Sequence, residues 1–149
     1  MNTVLPVGIA RVRENAPLPT YVTEGSVAFD IATIEAVTIA PESIALLPTG
    51  LTIATPEGYA LLFAPRSSLF KKKGLRLGNT IGVIDQDFRG PTDELQIQVW
   101  NPGKETVTLE IGERIVQGFF VPIIKAQWEE FTPSGTSRSG FGSSGGYQS

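Results

Sequence analysis

Short apolar segments that end at turn-forming residues follow one another along most of this chain. Turn signals recur about every 8–12 residues, and 16 glycines and 11 prolines supply many of them. Residues 95–100, Leu-Gln-Ile-Gln-Val-Trp, alternate apolar and polar side chains with the period of two that a half-buried strand requires. No segment shows helical periodicity beyond about one turn. The pattern predicts an all-β sandwich, jelly roll or barrel.

The bounds of the predicted strands follow from the turn residues that flank them. Proline cannot donate to a strand ladder and glycine adopts turn conformations readily, so both residues close strands. Residues 69–73 carry three consecutive lysines and predict a short basic connection. The predicted strands cover residues 4–12, 27–32, 37–40, 43–50, 51–54, 59–64, 95–100, 106–111 and 115–124.

Residues 82–90 combine strand-forming and turn-forming residues. Val83 and Ile84 are β-branched and favour a strand, whereas Asp85 and Asp87 favour a turn. The segment therefore predicts a β-hairpin in which Asp85 ends the first strand. Taken alone, an Asp-x-Asp turn is more often structural than functional.

The composition excludes several classes of catalytic and metal site. The chain has 149 residues, which is the size of one domain with a substantial core. It has no cysteine and no histidine, which excludes disulfides, thiolate and imidazole metal sites, and serine–histidine catalysis. Catalysis would therefore use carboxylates, arginine, lysine, hydroxyls or backbone amides, with an oxygen-ligated metal ion such as Mg²⁺.

Charge and hydropathy favour a cytoplasmic protein without a nucleic-acid or membrane partner. The net charge of −3 gives no basis for bulk electrostatic binding of nucleic acid. The first ten residues lack the basic region and apolar run of a signal peptide. No apolar segment is long enough to span a membrane. We therefore expect a cytoplasmic location.

The composition changes at residue 132. Residues 132–146 have almost no apolar side chains, and such a segment cannot bury enough surface to order itself. We therefore expect a β-barrel domain over residues 1–131 and a flexible Gly/Ser-rich arm over residues 132–149. Arg138 and Phe141 stand alone within the arm. A guanidinium and an aromatic ring on a flexible segment suit closure over a charged, flat ligand.

Acidic and arginine residues near glycine-rich turns, without histidine, favour metal-assisted phosphate chemistry. Phosphoryl transfer needs positioning and charge neutralisation more than covalent chemistry. Arg66, Ser67 and Ser68 follow a strand and a proline, where they can offer a guanidinium, hydroxyls and N–H groups to phosphate oxygens. Alone, this tripeptide is common on protein surfaces.

Five short segments resemble, in order, the five motifs of the trimeric deoxyuridine triphosphatase (dUTPase) family. Each motif is modest by itself, but the ordered set is highly specific and spans most of the chain. The resemblance implies a distorted jelly-roll or β-barrel-like fold with a flexible C-terminal arm, and dUTP diphosphatase activity. The segments are residues 25–31, residues 64–69, residues 78–79 with 82–90, residues 112–117 and residues 140–145.

The resemblance implies catalytic and metal-binding roles for two aspartates. Asp85 would orient, and take a proton from, a water that attacks the α-phosphorus in line, with pyrophosphate leaving. A free carboxylate is a weak base at neutral pH, so orientation should matter more than basicity. Asp30 would hold Mg²⁺ indirectly, because this ion keeps its hydration water readily.

The resemblance also implies how the substrate is bound. Backbone readout explains uracil selectivity, because cytosine reverses donor and acceptor groups and leaves buried polar groups unpaired, which can cost about 10⁴-fold. The ring at position 88 would leave no room for a 2′-hydroxyl. The implied contacts are Arg66, Ser67, Ser68 and Gln117 to the phosphates, backbone groups of Gly82, Val83 and Ile84 to uracil, Asn79 to uracil through water, Phe88 to deoxyribose, Phe141 stacked on uracil, and Arg138 to the terminal phosphate.

In the cell, the implied enzyme would limit incorporation of uracil into DNA and supply dUMP for thymidylate synthesis. The implied assembly is a homotrimer whose active sites are each built from more than one subunit. The small-molecule partner is dUTP, and Mg²⁺ is the cofactor.

Three positions depart from the family pattern. Phe88 stands where the family usually has tyrosine, so a hydroxyl contact is lost. The usual arginine of the fifth motif falls at Thr136, so either Arg138 serves in its place or this contact is absent, and we favour Arg138. Residues 91–94, Pro-Thr-Asp-Glu, lengthen the connection to the next strand and predict a widened turn or bulge.

Two alternatives have different chemistry. A dCTP deaminase, or a bifunctional deaminase–dUTPase, shares the fold and the Arg-Ser-Ser-Leu segment. Its chemistry uses a glutamate positioned after the hairpin, and Glu94 or Asp93 could take that position. A non-enzymatic jelly-roll module would keep only the fold and nucleotide binding. The combination of Asp30, Arg66, Asp85 and Gln117 disfavours that second alternative.

Overall fold

The fold is almost entirely β, as the turn spacing predicts. The computed structural model describes residues 4–138 and Gly140, and it contains eleven strands and one short helix across those residues. The elements are β1 (Gly8–Arg11), β2 (Phe29–Ala32), β3 (Val37–Ile39), β4 (Ile44–Pro48), β5 (Leu51–Ala54), β6 (Tyr59–Pro65), α1 (Ser67–Lys73), β7 (Arg76–Leu77), β8 (Gly82–Ile84), β9 (Gln96–Trp100), β10 (Val107–Leu109) and β11 (Arg114–Pro122).

Strands that are distant in sequence lie side by side. In the described part of the chain, four antiparallel sheets have the strand orders β2-β11-β6-β8, β4-β9-β7, β1-β5 and β10-β3. β11 is the longest strand, with 9 residues. It pairs with β2 on one side and β6 on the other, so it forms the centre of the largest sheet.

One apolar core joins these sheets. Leu47, Leu61, Val99 and Val116 come from four different strands and are fully buried. Gly118 on β11 allows unusually close packing, because a Cβ added there would lie 2.5 Å from Cε2 of Phe29. β11 therefore has glycine at the position where the rings of Phe29 on β2 and Phe63 on β6 pack against it.

The helix α1 occupies the segment that the sequence predicts as a basic connection. Its 7 residues form about two turns, and only Leu69 is buried, so no apolar periodicity marks it. Gly74 ends the helix in the left-handed conformation with φ 69°, and its N–H donates to the carbonyl of Phe70. Lysines fill the last turn, where they interact favourably with the helix dipole.

The β-hairpin predicted over residues 82–90 is wrong, although Asp85 does follow the end of β8. β8 is an edge strand that pairs with β6, and the next strand, β9, pairs instead with β4 and β7. The N–H of Phe88 donates to the carbonyl of Asp85 at 3.3 Å and closes a turn. No return strand follows in this part of the structure, because Pro91 and the turn formers before it do not support a ladder.

Residues 91–94 form a hydrogen-bonded turn that is docked against the body of the domain. The carboxylate of Glu94 accepts bonds from Arg13, at 2.9 Å and 3.1 Å, and from the N–H of Gly50 at 2.8 Å. The hydroxyl of Thr52 donates to the carbonyl of Asp93 at 2.6 Å. These contacts hold residues 91–94 against the connection between β4 and β5 and against the start of β5.

Beyond β11 the described chain runs without regular structure. Residues 123–138 contain neither strand nor helix, and Arg138 is exposed. Phe141, the predicted stacking residue, lies outside the described residues. Within residues 4–138 and Gly140, no helix has the length and hydropathy needed to cross a membrane.

Candidate functional site

Three adjacent strands bring together one half of the candidate site. Gln117 on β11 lies opposite Asp30 on β2 and, across its other edge, opposite Ala64 on β6. Arg66 follows the last residue of β6 and leads into α1. The antiparallel register therefore places segments from the predicted first, second and fourth motifs side by side.

Asp30 is a buried carboxylate between two guanidinium groups. Its Oδ2 lies 3.0 Å from Nη2 of Arg66 and 3.2 Å from Nη1 of Arg114, while its side chain is 8% exposed. Neither contact is aligned as a hydrogen bond, and Oδ2 has no hydrogen-bond partner among the described residues. The two ion pairs compensate its charge, but the oxygen still has capacity for a donor such as water.

Arg114 is a site residue that the sequence analysis did not single out. It begins β11 opposite Ala32, two residues along β2 from Asp30, so its side chain reaches the carboxylate diagonally. A β-bulge lies between residues 114 and 116 and changes the register there. Its place inside the fourth motif could have drawn attention to it, but only the strand pairing assigns its partner.

The segment that carries Arg66 is fixed to β11 by three hydrogen bonds. Gln117 donates through Nε2 to the carbonyl of Pro65 at 3.1 Å. The backbone N–H of Arg66 donates to the carbonyl of Ile115 at 3.2 Å, and its Nη1 to the carbonyl of Arg114 at 3.4 Å. Positive charge is therefore held at the start of α1, beside the exposed Ser67 and the half-buried Ser68.

These residues fit a magnesium ion that is held mainly by phosphate and water. Within the described residues there is no group of three or more acidic side chains that could chelate a metal directly. Asp30 supplies one carboxylate with an unfilled acceptor, which suits a water ligand of a hard cation. The remaining ligands would have to come from a substrate.

The other half of the candidate site lies on β8. Asp85 directly follows this strand and is exposed. Val83 is 61% exposed and Phe88 is 39% exposed, so apolar surface accompanies the acid. In the described structure β8 pairs on one edge only, and of its three residues Gly82 is buried, Val83 exposed and Ile84 half-buried.

A strained turn precedes this edge. Thr80 has φ 64°, and a β-branched residue is rarely found in the left-handed region. It separates the exposed Asn79 from β8, and the N–H of Ile81 donates to the carbonyl of Asn79 at 2.6 Å. The sequence analysis missed Thr80, since no sequence signal predicts this conformation for threonine.

Within one chain, Asp85 and Arg66 lie at different levels along β6. Ile84 is opposite Leu61 on β6, whereas Arg66 lies five residues further along the same strand direction. A strand rises about 3.4 Å per residue, so roughly 17 Å separates the two levels. Asp85 and Arg66 therefore project from levels of β6 that are several residues apart.

Two cavities differ in their chemistry. The larger, about 870 Å³, is lined mainly by apolar residues, among them Val7 and Tyr21 near the N-terminus and Phe120 on β11, and by none of the predicted site residues. The smaller, about 430 Å³, is lined partly by Arg66 and Ser67. Charge and motif position make the smaller cavity the relevant one for an anionic substrate.

The acids proposed for a deaminase are occupied by structural contacts. Glu94 is bound by Arg13 and by the backbone of Gly50, and its side chain is 13% exposed. Asp93 accepts a bond from the N–H of Gly90 at 2.6 Å. The carboxylate of Glu94 is therefore engaged in structural contacts through both oxygens, whereas Asp93 uses one oxygen within its own turn.

Known proteins match the chain over nearly its whole length. A model of the dUTPase family matches residues 14–145. The deoxyuridine 5′-triphosphate nucleotidohydrolase of Cronobacter sakazakii is 43% identical over 141 residues, which cover 91% of each chain.

Solved structures agree with these sequence matches. The dUTPase of Streptococcus mutans superposes with a TM-score of 0.76 at 34% identity, covering 81% of this chain and 99% of that one. The dUTPase of Staphylococcus bacteriophage 80alpha with dUPNHPP has a TM-score of 0.81 at 26% identity, covering 97% and 99%. The all-β fold and the resemblance to the dUTPase family are thereby confirmed, and the chain belongs to the dUTPase family of enzymes that hydrolyse dUTP.

Proposed function

We propose that this enzyme hydrolyses dUTP to dUMP and pyrophosphate by Mg²⁺-assisted, in-line attack of water on the α-phosphorus. The observation that carries the mechanism is the meeting of Asp30, Gln117 and Arg66 on neighbouring strands. They form a compact polar cluster in which two guanidinium groups flank a single carboxylate. Such a cluster suits a triphosphate with one cation.

In the phosphate half, Arg66 and Ser67 bind phosphate oxygens through charge-assisted hydrogen bonds and a hydroxyl. Ser68 and the side-chain carbonyl of Gln117 complete the polar surface, because Gln117 already uses its amide N–H on Pro65. Asp30 would hold Mg²⁺ through water, and the ion would supply neutralisation of the phosphate charge.

In the other half, Asp85 orients the attacking water and accepts its proton. The end of a strand is a suitable place for this carboxylate, since the ladder with β6 fixes its backbone while its side chain faces solvent. The correct placement of a nucleophile beside its base can supply several kcal/mol, about 7–11 in favourable cases. Orientation is therefore the main contribution of Asp85.

Uracil is read by the free edge of β8. Among Gly82, Val83 and Ile84, the backbone N–H and C=O groups that face away from β6 supply donors and acceptors for the edge of uracil. Asn79 assists through a water molecule. Phe88 packs against deoxyribose and occupies the space that a 2′-hydroxyl would need.

The enzyme is proposed to be a homotrimer in which one subunit supplies β8 and another supplies the Asp30–Arg66–Gln117 cluster. The separation of roughly 17 Å within one chain supports this assembly, because the reacting groups must lie within a few ångströms of one substrate. Residues 132–149, of which 139 and 141–149 lie outside the described residues, are proposed to serve as an arm that follows the domain of residues 1–131. This arm brings Arg138 to the terminal phosphate and Phe141 onto uracil.

The proposed cellular role is to limit incorporation of uracil into DNA and to supply dUMP for thymidylate synthesis in the cytoplasm. The structural relative from phage 80alpha, which was solved with dUPNHPP, supports the choice of nucleotide. Nucleic acid and membranes are not proposed as partners.

Product analysis tests this function directly. The purified protein is incubated with Mg²⁺ and either dUTP, dCTP or UTP, and pyrophosphate and ammonia are measured. We expect pyrophosphate from dUTP alone, and loss of activity when the metal is chelated. Ammonia from dCTP would instead establish the deaminase, and the absence of both products would favour a binding module.

A further inference from the structure

Lys73 makes contacts that its two lysine neighbours on α1 do not share. Its Nζ lies 2.9 Å from Oε1 of Glu113 and 3.4 Å from the carbonyl of Thr108. The two side chains are partly shielded, at 33% and 27% exposure. Lys71 and Lys72, by contrast, are exposed. The lysine at the end of the helix therefore has a defined partner.

That partner is built into a tight turn. The N–H of Glu113 donates to the carbonyl of Glu110 at 3.2 Å, and Gly112 has φ 84°, as the third position of a type II turn requires. Oε1 of Glu113 also accepts the N–H of Glu110 at 2.9 Å. Burial alone would raise the pKa of Glu113, but the hydrogen bonds from Lys73 and Glu110 lower it below 4.5.

The same turn also contacts the elements around Asp30, Arg66 and Gln117, the residues of the phosphate-binding cluster. The N–H of Thr33, just after β2, donates to the carbonyl of Glu113 at 3.0 Å, and the N–H of Gly112 donates back to Thr33 at 2.8 Å. Arg114 follows Glu113 directly and forms the ion pair with Asp30. Lys73 adds a link to α1, the helix whose first residue is Ser67.

We propose that the ion pair between Lys73 and Glu113 positions Arg114, and through it the carboxylate of Asp30, for binding the triphosphate. The inference rests on the proposed function, since it concerns the same phosphate cluster. Lys73 and Glu113 are positioning residues, which contact neither the substrate nor the reacting atoms. They hold the C-terminal end of α1 against the residue that precedes β11. Arg66 and Arg114 therefore keep a constant distance from each other on either side of Asp30.

Four variants test the pair: Lys73→Met, Lys73→Arg, Glu113→Gln and the charge-matched control Lys72→Met. Binding of inorganic triphosphate is measured by calorimetry in magnesium-containing buffer, together with kcat and KM for dUTP. We expect Lys73→Met and Glu113→Gln to raise the Kd for triphosphate and the KM about threefold to fivefold, with kcat and binding stoichiometry unchanged. Lys73→Arg should restore binding, and Lys72→Met should match the wild type.

A merely structural pair would behave differently. Lys73→Met would then lower the active fraction or kcat at an unchanged Kd, and that result would overturn the proposal, as would equal effects of Lys72→Met and Lys73→Met. An absence of triphosphate binding by the wild type would also overturn it. If the wild type fails to hydrolyse dUTP but the variants alter triphosphate binding as expected, the proposed function fails and the positioning role stands.

Discussion

Arg114 lies 3.2 Å from the same Asp30 oxygen that Arg66 approaches to 3.0 Å. The two guanidinium groups thus share one buried acceptor oxygen, and that oxygen cannot bind all of the N–H donors of either group. Each guanidinium retains donors that can turn toward an anionic ligand. The Asp30 carboxylate therefore draws both guanidinium groups toward one point and offsets the repulsion between them.

Removal of Arg114 should weaken substrate binding more than folding. Arg114→Gln leaves Asp30 with one ion pair, but Arg114 is 47% exposed, so solvent limits the loss of folding stability to about 1 kcal/mol. We expect KM for dUTP to rise by about tenfold, which corresponds to about 1.4 kcal/mol. Lys104→Gln removes one positive charge from an exposed loop and is the control. Steady-state kinetics of both variants should separate the loss of a contact in the site from the loss of one positive charge elsewhere on the protein. Equal KM values would exclude Arg114 from the site.

Asp85→Asn should abolish turnover and preserve binding. The amide keeps the size of the side chain but loses its capacity to accept a proton, so kcat should fall by about 10²–10⁴-fold. A non-hydrolysable dUTP analogue should bind with nearly unchanged affinity in calorimetry. Asp87→Asn, an exposed acid in the same turn, is the matched control and should retain activity. Full activity of Asp85→Asn would refute the assigned role.

Phe88→Ala should reduce discrimination between dUTP and UTP. Without the ring, space opens beside the sugar, and the ratio of kcat/KM for the two nucleotides should fall by about tenfold, as is typical for small steric differences. Phe88→Tyr retains the ring and should keep the ratio. An unchanged ratio in Phe88→Ala would show that another residue excludes the 2′-hydroxyl.

Truncation after Pro133 should leave a folded trimer with weak catalysis. It removes Arg138 and Phe141, and stacking of a base on one aromatic ring contributes about 1–3 kcal/mol, so kcat/KM should fall by about 10²-fold. Light scattering would report the oligomer and kinetics the activity. Truncation after Gly146 keeps both residues and should have little effect. A chain cut at Pro133 that remains fully active would indicate that the arm has no catalytic role.

Gly118→Ala should lower the free energy of unfolding, although the added methyl group meets only Phe29 and Phe63 and no residue of the candidate site. The new Cβ would meet the ring of Phe29 at 2.5 Å, so the core must shift, at a cost of about 1–3 kcal/mol. A protein of this size loses about 2–4 °C of Tm per kcal/mol. In Gly25→Ala no atom lies within 4 Å of the new group, so thermal unfolding of this control should match the wild type.

The sequence alone determined the type of fold and the available chemistry. The spacing of turns and the period of two within residues 95–100 indicate short strands, because both are local properties of the backbone and of half-buried surfaces. The absence of cysteine and histidine restricts catalysis to carboxylates, hydroxyls and basic groups. The order of five motifs indicates the family, and the comparisons confirm it.

Only the tertiary structure decided which residues meet. The pairing of Gln117 with Asp30 joins strands 87 positions apart, and strand register is set by the whole core rather than by either segment. The same non-local packing turns residues 85–94 away from β8, where local preference suggested a hairpin, and it anchors Glu94 to Arg13. It also separates Asp85 from Arg66 along β6, which a list of motifs cannot show, since sequence order carries no distance.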